Sequence, residues 1–83
     1  MSQREFMIVL AHSLNCGMCR ARLLSDPAAL LASRALTEEE KATVAGLKFE
    51  QFLTPETLAR AVKVDRDELD RYAGEPVVRL RHL

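Results

Sequence analysis

An all-α fold, a compact bundle of about five helices led by one long N-terminal helix, is what this sequence predicts. Three observations carry that expectation. Ala, Leu, Glu and Arg dominate, and all are good helix formers. There are only 3 Gly and 3 Pro to interrupt them. Alternating runs of Val, Ile, Thr and Tyr, the mark of strands, are absent. Residues 1–83 are one domain's worth of chain, and so short a chain buries a modest core.

The elements follow from their punctuation. Arg4 to about Leu24 has no Pro and a single Gly, Gly17, and reads as one continuous helix. Asp26-Pro27 supplies a cap and a first helical residue, opening a short second helix to about Ser33. Thr37-Glu38-Glu39-Glu40 is a capping box with acids on the positive helix end, and that helix runs to about Gly46 or Leu47. Lys48 to Leu53 is a connector whose Phe49 and Phe52 should both plug the core. Thr54-Pro55-Glu56-Thr57 starts a fourth helix to about Val62. Asp65 caps a fifth, Arg66 to Tyr72, which Gly74 ends. The state of residues 76–83 is left open by their pattern.

Composition excludes several classes of function. Twelve basic and 12 acidic residues give zero net charge, unlike a general nucleic-acid binder, which needs a surplus of Lys and Arg. No run approaches the roughly 18 apolar residues of a spanning helix, so no membrane insertion is expected. His12 interrupts the apolar run Phe6–Leu14, so a signal peptide is not expected either. Two cysteines make no secreted framework, and a cytoplasmic location is the expectation. The chain has no Gly-rich phosphate loop, Ser-His-Asp set or secluded carboxylate pair, so no enzyme activity and no cofactor are expected.

The first helix is apolar on two faces. At about 100° per residue, Phe6, Leu10, Leu14, Met18, Ala21 and Leu24 form one stripe. Ile8, Val9, His12, Cys16, Cys19 and Leu23 form another, nearly opposite. A helix apolar nearly all round must be covered on all sides. The short helices of so small a protein can cover one face. The other is therefore expected to meet a second chain, either a protein partner or another copy.

His12, Cys16 and Cys19 stand at i, i+4 and i+7, on one face of a continuous helix. Imidazole and thiolate are common zinc ligands, and zinc takes four. His82 is the only other His that could complete the set. The stretch His12-Ser13-Leu14-Asn15-Cys16-Gly17-Met18-Cys19-Arg20 resembles the His-x3-Cys-x2-Cys-Arg motif of zinc-binding anti-sigma factors. That resemblance implies that His12, Cys16 and Cys19 bind zinc. The competing reading makes them core, since free Cys behaves as a small hydrophobe. A thioredoxin-like redox role is not expected, because a continuous helix puts both thiols far from the N-terminal dipole.

Thr57-Leu58-Ala59-Arg60-Ala61-Val62-Lys63-Val64-Asp65-Arg66-Asp67-Glu68-Leu69-Asp70-Arg71-Tyr72 resembles a helix-turn-helix of the repressor type. Ala59, Val64 and Leu69 match its small residue, turn residue and apolar plug in register. The sequence departs from the pattern at Lys63, where that family prefers a Gly of positive φ. In a DNA-binding member the second helix enters the major groove. Here it carries Asp67, Glu68 and Asp70 against Arg66 and Arg71, which phosphates would repel. Arg66, Asp67, Asp70 and Arg71 are therefore expected to meet a protein, and DNA binding is not expected. More loosely, Asp26-Pro27 followed by Leu36-Thr37-Glu38-Glu39-Glu40 is similar to a module in small subunits of ring-cleaving dioxygenases and in leaders of modified-peptide precursors.

The functional expectation is a small helical adaptor or regulatory protein acting by protein–protein interaction. The alternatives are a helix-turn-helix transcription regulator and a zinc- or thiol-responsive regulator built on His12, Cys16 and Cys19.

Overall fold

The computed structural model describes residues 3–79, and it is all-α, with no strand among those residues. His82, expected as a further ligand, lies outside the described residues. Helix α1 spans Gln3–Asn15, α2 Gly17–Ser25, α3 Pro27–Leu31 and α4 Glu38–Ala45. A 3-10 turn, Phe49–Phe52, leads into α5, Pro55–Val62, then α6, Arg66–Ala73, and α7, Pro76–Arg79.

The expected single helix over residues 4–24 is broken at Cys16. Its backbone is extended, with φ −120° and ψ 106°. The Cys16 amide still donates to the His12 carbonyl at 2.9 Å, closing α1, and its carbonyl accepts from Arg20 at 2.9 Å, opening α2. Two side chains hold the corner. Cys16 Sγ accepts the Cys19 N–H at 3.2 Å, standing where Ser or Asp would normally cap a helix. Asn15 Nδ2 donates to the Ala73 carbonyl at 3.2 Å, pinning the end of α1 to the end of α6.

The break changes what covers α1. Every residue from Phe6 to Ser13 is buried, on both apolar faces. α6 lies along α1, α7 packs at its start, and α2 turns back against it at the corner. The expectation that a second chain must cover one face of α1 is thereby overturned. It assumed one long helix, which would leave too few residues to wrap itself. Breaking the helix at Cys16 makes its second half part of the cover. Cys19 and Leu23 rejoin the core, while Met18 and Ala21, expected on an apolar stripe, face solvent.

The remaining elements begin at the capping signals. Asp26 Oδ1 caps α3 through the Ala29 N–H at 3.3 Å. Thr37 and Glu40 exchange both capping-box hydrogen bonds, at 2.9 and 3.1 Å. Thr54 Oγ1 accepts from Thr57 N at 3.1 Å, with Pro55 at the first helical position of α5. Asp65 caps α6, and Gly74 ends it. Of the two phenylalanines expected in the core, Phe52 is there, but Phe49 is 55% exposed. Its ring lies under the Arg20 guanidinium, 5.7 Å from the ring centre.

The core gathers Met7, Leu10, Leu23, Leu31, Val44, Phe52, Leu58, Leu69 and Val78 from every segment. Burying a large aliphatic side chain in such a cluster contributes about 1.5–3 kcal/mol. His12 and Ser13 are buried with it, and Ser13 Oγ donates to the Val9 carbonyl at 2.9 Å. Among the described residues no buried side-chain N or O atom lacks a hydrogen-bond partner, so these polar groups carry no desolvation penalty of the orphaned kind.

Candidate interaction surface

Helices α5 and α6 are joined by three residues, and the joint turns at Lys63, whose φ of 61° and ψ of 46° are left-handed. Among the described residues it is the one non-glycine with positive φ. Lys63 thus adopts the conformation for which the repressor pattern prefers Gly, at a steric cost that Gly would not carry. The Lys63 N–H donates to the Ala59 carbonyl, as does the Val64 N–H at 3.0 Å, so the end of α5 is closed without help from a side chain.

Ala59 and Leu69 are both buried. A small residue at 59 leaves space where α6 packs against α5, and Leu69 fills the space between α6 and the body of the protein. Val64 is half-buried against the core. With Leu69 facing inward, α6 turns Arg66, Asp67, Asp70 and Arg71 out to solvent. The four expected contact residues therefore lie together on an exposed face.

The electrostatics of that face are dominated by its acids. Residues 65–75 hold five carboxylates and two arginines. Arg66 is shared between Glu56 at 3.4 Å and Asp70 at 3.5 Å. Arg71 stands 3.9 Å from Glu68. Among the described residues no cation lies within ion-pairing distance of Asp67. The pairs are exposed and each contributes at most about 1 kcal/mol. Their consequence for binding is larger, because both arginines already face carboxylates and the excess charge presented is negative. At the far end of α6, Glu75 pairs with Arg4 at 3.1 Å, and Tyr72 lies beneath the same guanidinium. The Glu75 hydrogen bond raises the pKa of Arg4, and this tie joins the start of α1 to the turn between α6 and α7.

The other expected site is rearranged. His12 is buried at the end of α1, Cys16 is half-buried at the corner, and Cys19 is buried in the first turn of α2. The break takes them off one continuous helical face. Among the described residues no group of three His, Cys, Asp or Glu side chains is placed to hold a metal ion. Cys16 and Cys19 are not bridged to each other. The sequence reading missed that Cys16 is a helix cap. The signal was Gly17 after Cys16 and a sulfur three residues before an amide, which is cap spacing with an unusual cap residue.

Elsewhere, a groove between α2 and α3 is edged by Arg22, Asp26 and Arg34. Asp26 is the α3 cap and Arg34 pairs with Glu5 at 3.3 Å, so two of these charges serve the fold. Among the described residues no helix is long and apolar enough to cross a membrane. No family model, curated protein or solved structure matches this chain.

Proposed function

We propose that the protein is a helical adaptor or regulatory module that works by binding another protein, and that the outer face of α6 makes the contact. The observation that carries this reading is the exposed face of Arg66, Asp67, Asp70 and Arg71 on a helix seated by buried Leu69, in a segment, residues 65–75, where five carboxylates outnumber two arginines. Both arginines face carboxylates, so the surface suits a partner that presents Lys and Arg. Charge complementarity of this kind gives specificity and speed of association more than raw affinity. The apolar face of α1 is enclosed by the protein's own helices and is not offered as the contact.

A double charge reversal tests the reading. Tagged wild-type protein and an Asp67→Lys/Asp70→Lys variant are used to capture partners from the native host under matched salt. A protein retained by the wild type and lost from the folded variant supports the proposal. Identical capture by both sinks it.

One observation favours a second reading, a DNA-binding regulator. Lys63 takes the left-handed turn that the repressor-type resemblance calls for. Against it stands the charge of α6, since a reader helix needs donors toward phosphates and base edges. A submicromolar complex with duplex DNA at low salt, weakened by Arg66→Ala or Arg71→Ala, would make this the better account.

A further inference from the structure

We propose that Cys16 and Cys19 form a dithiol–disulfide redox pair, with Cys16 the attacking thiol and Cys19 the resolving one, exchanging with small disulfides of the glutathione class. The inference is independent of the protein-binding reading, because it rests on sulfur chemistry and uses no charged residue of the outer face of α6.

Several observations converge on this pair. The spacing Cys16-Gly17-Met18-Cys19 places the thiols at the cap and third positions of α2, a helix of nine residues. Both thiols therefore belong to the first turn of one helix. Cys16 Sγ already lies 3.2 Å from the Cys19 amide nitrogen, which is only three bonds from the Cys19 sulfur.

The two thiols differ in the way the chemistry requires. Cys16 is partly exposed and Cys19 is buried, so an external disulfide meets Cys16 first. The thiolate is the attacking species, and backbone N–H groups at a helix start favour it. Cys16 has the Cys19 N–H directed at its sulfur.

The exchange balances as follows. The Cys16 thiolate attacks one sulfur of oxidised glutathione, forming a mixed disulfide while the glutathione S–S bond breaks and one glutathione thiolate leaves. Cys19 gives up its proton and attacks Cys16 Sγ, forming the Cys16–Cys19 bond and expelling the second glutathione. Two protein thiols are oxidised and one glutathione disulfide is reduced to two thiols. The protons lost by the cysteines end on the two departing sulfurs.

Intact-mass analysis of the folded protein in glutathione redox buffers tests the pair. The wild type should lose two hydrogens as the buffer becomes oxidising, with no lasting adduct. Cys19→Ala, which keeps a small apolar group in the core, should stop at one glutathione on Cys16. Cys16→Ser, which keeps a helix cap, should take up glutathione at least about tenfold more slowly, since the remaining thiol is buried away from the helix start. A wild type that stays fully reduced under oxidised glutathione, or that carries a stable adduct in place of the bridge, would overturn the proposal. So would a Cys16→Ser variant, folded by circular dichroism, that reacts as fast as Cys19→Ala. Mass mapping of alkylated wild-type protein gives the same order of reactivity without any substitution, and faster labelling of Cys19 would count equally against it.

Discussion

Replacing Leu69 with Ala removes the side chain that seats α6 on the body of the protein. Leu69 is 0% exposed, and the core around it is drawn from every helix. Large-to-small changes of this kind cost about 2–5 kcal/mol, depending on how far the site collapses. Collapse is hindered here. α1 is fixed along its length by the elements around it, and α6 is held at its two ends by the Asp65 cap and by the Asn15 and Glu75 contacts. The upper part of the range, about 3–5 kcal/mol, is therefore expected. A domain of 83 residues has a total stability of only about 4–12 kcal/mol. In thermal unfolding followed by circular dichroism, a loss of that size lowers the Tm by about 12 °C or more. Urea unfolding should show the same loss in midpoint with little change in slope. A fall of less than about 4 °C would refute the placement of Leu69 at the centre of the packing, and with it the seating of α6 on the core.

Three further outcomes follow from single residues. Lys63→Gly should stabilise the protein by about 0.5–1 kcal/mol, the relief of a left-handed Lys less the extra freedom Gly gains on unfolding, and a loss of stability by urea titration would show that the turn is not left-handed. Cys16→Ala should cost about 0.5–2 kcal/mol by removing the α2 cap while Cys16→Ser costs little, and equal losses for both would mean the sulfur does not cap. Phe52→Ala should cost about 3–5 kcal/mol, whereas Phe49→Ser should cost about 1 kcal/mol or less, so similar effects in the two variants would contradict the outward placement of Phe49.

Most of the fold was legible because its helix starts are written in side chains that cap. Asp26, Thr37, Thr54 and Asp65 each accept from their own first turn, as their residue types and the prolines or acids behind them indicate. The break at Cys16 was missed because Cys is a weak acceptor and an unusual cap, and because the apolar pattern resumes beyond it at Met18, Cys19 and Leu23; the poor helix formers Asn15 and Gly17 on either side were the sign of it. That one missed cap propagated. It made α1 too long, left too little chain to cover it, and so called for a partner that the enclosed α1 does not need. It also placed both thiols in a helix interior, when one of them begins a helix. Phe49 was misplaced for a different reason, since a four-residue turn carries no period from which an inward face can be read. The exposed charges of α6 were visible as soon as Leu69 was recognised as the inward residue, because the helical period of about 3.6 residues then fixes what faces out.

The central claim is that the outer face of α6 is where another protein binds. Nuclear magnetic resonance of the isotope-labelled protein, titrated with a partner fraction from the native host, locates that contact directly. The account predicts amide shifts and line broadening concentrated on residues 66–71, weakening as salt is raised because the attraction is between exposed charges. Perturbations confined to Met18, Phe49 and Leu53, the large apolar side chains on the surface, or to the α2–α3 groove with α6 untouched, would contradict it.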